Sequence, residues 1–146
     1  MILYLVPKSS FIHAAYQDHK VGEPKSHLQA KARIRSLLEA QGYEVKSEYP
    51  FPLKVELGDR DYSLDLYAST GLDRIDVEIM GDSHFTTKRK LDKDHYRRKA
   101  IEAQGLRFVQ FNVDDVNGCW RKHRLTGSKY WFQLTDAEIR EEFGYD

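Results

Sequence analysis

Asp65, Asp76 and Glu78 are the residues with the clearest chemical potential in this chain. In "RIDVEIMGDSH" (74–84), Ile75, Val77 and Ile79 alternate with Asp76, Glu78 and Met80. Side chains on a strand point to opposite faces with period two. One face is therefore aliphatic and the other carries two carboxylates. The preceding segment "DYSLDLYA" (61–68) alternates in the same way, with Leu64 and Leu66 inward and Ser63, Asp65 and Tyr67 opposite. Pairing the two segments as a hairpin puts Asp65 near Asp76 or Glu78, because cross-strand neighbours lie about 5 Å apart. Clustered carboxylates repel and resist ionisation unless a cation joins them. A hard divalent ion with oxygen ligands, such as Mg²⁺, removes that cost and can activate a water. The plainer alternative is a solvated sheet face whose carboxylates serve solubility.

The elements that must position these residues can be read outward from them. Residues 2–6 form a short apolar strand ended by Pro7, and 8–24 are ambiguous, with a helical turn near Phe11–Tyr16. Residues 25–41 read as a helix capped by Ser26 and stopped by Gly42. Leu28, Ala30, Ile34, Leu37 and Leu38 line one side of it, and Lys25, Lys31, Arg33 and Arg35 make the other side basic. Strands follow at 43–51, 61–68 and 74–80, with turn signals at Gly58-Asp59 and Ser69-Thr70-Gly71. Such close spacing predicts an antiparallel meander. Residues 86–104 contain no Gly or Pro and read as helix, followed by the strand "LRFVQFNV" (106–113). A helix bridging two strands predicts a crossover and a partly parallel sheet. Asp114 to Val116 open a short helix, and Thr135 caps a last one. The expectation is an α/β fold with an αβββαβ core at about 25–116. A mixed central sheet is flanked by helices, with an extra N-terminal strand in an arm at 1–24 and a C-terminal helical extension at 117–146. All 146 residues make one domain.

Composition narrows the partners by distribution rather than by total. Lys plus Arg equals Asp plus Glu at 23 each, so net charge is silent. Residues 84–104 hold seven basic and three acidic side chains, directly behind a segment 72–82 with four acids and one Arg. An acidic pocket rimmed by a basic helix suits a polyanion whose backbone must approach a metal. A second stretch, "CWRKHRLTGSKYWF" (119–132), interleaves Arg121, Lys122, Arg124 and Lys129 with Trp120, Tyr130, Trp131 and Phe132, and has no acid. Stacking groups among cations are what single-stranded or distorted nucleic acid requires. The alternative is core aromatics with a basic rim. Cys119 is the single cysteine, so a disulfide framework and a cysteine-rich zinc site are both excluded, and a reducing, cytoplasmic interior is expected. The apolar start 1–7 is too short to span a membrane, no glycine-rich phosphate loop is present, and no membrane partner is expected.

"VEIMGDSHF" followed by "DHYRRKAIEAQGLRFVQFNVDDV" resembles a pattern of the restriction-endonuclease-like, or PD-(D/E)XK, nucleases. The pattern is Glu-x-Asp-Gly-x-x-His … Asp-x-x-Arg-x-x-x-Leu-x-x-x-Gly-x-x-Val, that of the very-short-patch-repair-like branch. The resemblance covers about residues 25–116. It implies a Mg²⁺-dependent DNA endonuclease, with Mn²⁺ able to substitute, that nicks, resolves junctions or cuts in the manner of homing enzymes. Asp65, Asp76 and Glu78 would bind metal. His84 falls on the branch's histidine, as general base or phosphate contact. Asp94, Arg97, Ile101 and Gly105 match the helix behind the site. Lys88, Arg89, Lys90, Arg97 and Arg98, with Arg121, Lys122, Arg124 and Lys129, are the nucleic-acid contacts expected. The sequence departs from the pattern at Met80, which stands where the superfamily has Lys and the branch has Asp. Lys88 or Lys90 would have to reach in to replace it. Gln29 stands about where the first helix usually has an acid. These departures motivate the alternative of a decayed nuclease fold that binds DNA or RNA without cutting. A homodimer is expected for a nuclease of this size.

Overall fold

The computed structural model describes residues 23–55, 58–81 and 88–144, with the backbone alone for 53–55, 58–62 and 88–94. The expected strand at 2–6 and the turn near Phe11 lie outside the described residues. Helix α1 spans Lys25–Ala40. Its N-cap is Pro24, whose carbonyl accepts from His27 and Leu28 N–H, and no side chain caps it. Ser26 is therefore the second helical residue rather than the cap; the fixed φ of proline starts the turn instead. At the other end Gly42 takes φ +94°, Gly42 N–H donates to Glu39 O, and Tyr43 N–H donates to Leu38 O at 3.2 Å. This pair of bonds satisfies the last carbonyls and turns the chain into the sheet.

Four strands follow: β1 (Glu44–Val55), β2 (Gly58–Ser69), β3 (Arg74–Met80) and β4 (Arg107–Asn112). Between β3 and β4 lies α2 (Lys88–Ala103). The sheet order is β1-β2-β3-β4, antiparallel except for the parallel β3–β4 pair. The helix–strand–strand–strand–helix–strand order is thus the αβββαβ arrangement of a mixed sheet. Gly58 and Asp59 pair with Val55 and Lys54, so they belong to β2 and not to the expected turn. The second reversal is closed by Thr70 N–H on Asp73 O at 2.8 Å, where Ser69-Thr70-Gly71 signals it.

The sheet is covered on both faces, which a half-solvated alternation does not anticipate. Ala30, Ile34 and Leu38 of α1 pack with Val45, Leu66, Ala68, Ile75, Val77 and Ile79. On the opposite side Ile101 and Ala100 of α2 pack with Phe51, Leu64, Tyr49, Tyr67 and Phe108. A crossover helix has to lie on the sheet, so the second face of β3 is roofed as well. Every residue from Ile75 to Met80 is buried. Strand β1 also changes sides. Val45 belongs to the α1 cluster and Tyr49 and Phe51 to the α2 cluster, with Glu48 at φ +48° between them. Leu66 and Leu64 of β2 divide the same way, so they do not share one inward face.

The segment after the core adds α3 (Val113–Asn117), a hairpin of β5 (Cys119–Lys122) and β6 (Lys129–Phe132), and α4 (Asp136–Glu142). The extension is therefore a hairpin followed by a helix. Asn112 and Thr135 cap the two helices, Thr135 in a reciprocal pair with Glu138. Val116, Ile139 and Phe143 complete the α1-side core. The expected basic side of α1 is not a solvated face. Arg33 donates to Val116 O, Leu134 O and Asp136, tying the extension to α1, and Arg35 donates to Ser47. Lys31 is 3% exposed. No described helix is long and apolar enough to cross a membrane.

Candidate functional site

The β2–β3 register pairs Leu66 with Val77 and Tyr67 with Asp76, which sets Asp65 across from Glu78. Glu78 Oε2 accepts from Asp65 N–H at 3.4 Å, and Asp65 Oδ2 accepts from Ile79 N–H at 2.9 Å. Each carboxylate is thus held by the backbone of the other's strand. Asp76 lies two residues before Glu78 and is fully buried. Its strand partners are Tyr67 and Phe108, both packed in the α2-side cluster. Tyr67 is itself stacked on Tyr49 at 4.8 Å.

That apolar setting decides the protonation of the pair. Burial raises the Asp76 pKa to about 6 and raises Glu78 well above the usual carboxylate range, with Asp76 adding to the effect on Glu78. Neither carboxylate oxygen of Asp76 meets a hydrogen-bond donor among the described residues. Its neighbour Glu78 can serve as one only while one of the two keeps a proton. Arg97, from α2, lies 3.1 Å from Glu78 Oε1 and also donates to Ser63 O. It draws both pKa values back down without cancelling the effect of burial.

A second layer comes from α1 and from Glu23, two residues before it. His27 Nε2 donates to Ile79 O at 2.9 Å and lies 3.7 Å from Asp65 Oδ2, while Nδ1 meets Glu23. Asp65 first, then Glu23 and the Ile79 carbonyl, hold the imidazole charged against burial and raise its pKa to about 9. Lys31 bridges Glu23 and Glu48, at 2.9 and 3.1 Å. Glu23, His27 and Lys31 recur every four residues, the first just ahead of the helix and the other two one turn apart on it. That spacing was the signal available in the sequence for residues that the strand pattern alone passes over.

Asp65, Asp76 and Glu78 are thus brought together. Met80 is buried with its sulfur against Gln110. Gln29 is exposed, and the acid reaching the site from the α1 end is Glu23. His84 and the side chains of Lys88, Arg89, Lys90 and Asp94 lie outside the described residues. Arg97 is turned inward to Glu78, whereas Arg98 is exposed and pairs with Glu102 at 3.7 Å. In the hairpin, Arg121 pairs with Asp115 and lies 3.7 Å from the Phe132 ring. Lys122, Arg124 and Lys129 are exposed.

Among the described residues, no three His, Cys, Asp or Glu side chains are grouped closely enough to hold a metal ion as placed. Their chemistry nevertheless fits a hard divalent cation. Asp76 is a buried oxygen donor that meets no N–H or O–H among the described residues unless Glu78 is protonated, and the named groups are five carboxylates (Glu23, Glu48, Asp65, Asp76, Glu78) against three cations (His27, Lys31, Arg97). A divalent ion that displaces the proton retained by the Asp76–Glu78 pair would meet an excess of two negative charges in a dry setting.

No family model matches the sequence, and no curated protein matches it. One solved structure similar to it is described as a protein of unknown function, AF1548. The two share 18% identity over 60% of this chain and 47% of that one, with a TM-score of 0.42. The chain therefore spans less than half the length of that protein.

Proposed function

We propose that this chain is a metal-dependent DNA endonuclease that hydrolyses backbone phosphodiesters. The observation that carries the reading is Asp76, a buried carboxylate with no donor among the described residues, set beside Glu78 and Asp65. Asp65, Asp76 and Glu78 would hold Mg²⁺ or Mn²⁺. When bound, the ion supplies a water of lowered pKa and neutralises charge on the phosphate under attack.

The chain's own residues have distinct parts in this reading. Tyr67 and Phe108 exclude water from Asp76, so its charge is costly until a cation arrives. His27 is a positioning residue. Both of its ring nitrogens are engaged, so it fixes Asp65 rather than reaching a phosphate. Arg97 supplies the cation next to Glu78 that Met80 cannot. His84, at the histidine of the resembling pattern, would carry the proton. Cutting both strands needs two sites, so a homodimer goes with the reading; light scattering that gives a monomer at high concentration would count against it.

A second reading is favoured by one contact. Arg97 at 3.1 Å already occupies Glu78 Oε1, as expected of a nuclease fold that binds DNA or RNA without cutting. One experiment separates the two. Plasmid and branched DNA are incubated with wild type and Glu78→Gln in Mg²⁺ or Mn²⁺. Metal-dependent cleavage by wild type alone supports the enzyme. No cleavage by wild type, or equal cleavage by the variant, overturns it.

A further inference from the structure

The outer face of the β5–β6 hairpin has a composition that the carboxylate site does not use. Residues 120 and 122 share one side of β5, and 129 and 131 share the same side of β6. The register sets Trp120 opposite Trp131 and Lys122 opposite Lys129. The result is a patch of two indoles beside two ammonium groups. Trp120 is 67% exposed and Trp131 52% exposed. The rings meet edge to face at 5.5 Å, so one indole keeps a ring plane open to solvent. Trp131 also packs against Gly118, where a Cβ would come within 2.2 Å of its ring, so the pair stands on a fixed base.

Two features say what should cover this patch. Large aromatics left in water forgo burial that a partner would supply. Like charges directly opposite on a two-stranded ribbon destabilise it, and no acid occurs from 119 to 132 to relieve them. Neither Lys122 nor Lys129 has an ion pair among the described residues. The inner side is partnered, by contrast, with Arg121 held between Asp115 and the Phe132 ring. The missing partner must be anionic and offer flat apolar faces. An unpaired nucleic-acid strand does both, base by base. The two-residue step from Trp to Lys, about 6.7 Å, lets one nucleotide reach from a stacked base to a bound phosphate.

We propose that this face binds unpaired nucleotides, with Trp120 as the stacking platform and Lys122 and Lys129 as phosphate contacts. The partner class rests on the nuclease reading, but the contact does not depend on the carboxylates. The test is fluorescence anisotropy with a labelled single-stranded oligonucleotide, in EDTA, on the full chain. Trp120→Ala should weaken binding about tenfold or more. Lys122→Ala with Lys129→Ala should lower the salt slope by about 1.4. Unchanged thermal melts certify that both variants fold. The proposal is overturned if wild type fails to bind the oligonucleotide or prefers duplex. It is equally overturned if both hairpin variants bind as wild type, or if Trp120→Ala impairs binding to phosphatidylserine vesicles and not to the oligonucleotide. Loss of cleavage with binding retained would strike the carboxylate reading alone.

Discussion

Among the described residues, Asp76 has neither solvent nor a donor, while Lys122 and Lys129 have solvent and no acid. Both regions carry unbalanced charge, yet the imbalance is felt differently. Around Asp76 the low dielectric multiplies each interaction, so protons are retained and one added cation would rearrange the balance. At the hairpin, water and salt screen the lysines, and the cost of their repulsion is small. The first region should therefore show itself in stability, pH and metal dependence. The second should show itself in affinity and its dependence on salt.

The contrast is broken most forcefully through Glu78. Glu78→Gln keeps the shape and removes the charge opposite Asp65, and should lower cleavage by about a hundredfold or more. Oligonucleotide affinity should stay unchanged. If affinity falls as well, the two regions are one site. Asp76→Asn sharpens the same contrast on the stability side. The folded pKa of Asp76, about 6, lies above its ordinary 3.8. For an acid raised on folding, the folded form binds the extra proton. Stability from this group is complete below about pH 4 and falls as pH rises through 6. Above that the ionised carboxylate costs on the order of 3 kcal/mol. Asparagine escapes this and can donate to Glu78. A urea titration at pH 7.5 without divalent ions should find the variant more stable than wild type by about that amount. It should lose any stabilisation that Mn²⁺ gives wild type. A less stable variant at pH 7.5 would mean that the charge is relieved in some other way.

Much of the frame was legible because local pattern and global fold agree. The alternation through Ile75, Val77 and Ile79, the break at Gly42 and the Thr135 cap all announce their elements. The pairing of Asp65 with Glu78 follows from a short turn between two alternating segments. What could not be read is tertiary. A carboxylate face looks solvated until the crossover helix is laid over it, and nothing in residues 74–80 says that Asp76 will be sealed by Tyr67 and Phe108. Lys31 and Arg33 look like surface because ionisable side chains usually are. Their partners, Glu48 and the carbonyls of Val116 and Leu134, are far away in the chain. The change of face at Glu48 rests on a positive φ in a residue that carries no glycine to signal it.

The hairpin has its own structural weak point, at Gly118. Its φ is +98°, and a Cβ there would meet Trp131 Cζ2 at 2.2 Å. Gly118→Ala therefore combines backbone strain with displacement of the indole. A loss of about 1–2 kcal/mol is expected in a thermal or urea melt. Single-strand affinity should fall with it even though no proposed contact is removed. If stability drops while affinity holds, the position of Trp131 is irrelevant to binding, and Trp120 acts alone.

The smallest effect concerns His27, which joins the carboxylate region to α1. Its folded pKa, about 9, lies above the ordinary 6.5 because Asp65 and Glu23 favour the imidazolium. For a base raised on folding, the stabilisation is fully present below pH 6.5 and is lost as pH rises through 9. This slope has the same sign as that of Asp76 but falls in a later pH range, so the two can be separated in one series of melts. His27→Gln keeps a donor for the Ile79 carbonyl and should remove the decline between pH 7 and 9 while leaving the one between 4 and 6. Mobility of the hairpin tryptophans, read by fluorescence quenching, should not respond. Should the decline between 7 and 9 survive in His27→Gln, the imidazole is not the group that couples Asp65 to the helix, and Lys31 with Glu23 and Glu48 becomes the next pair to test.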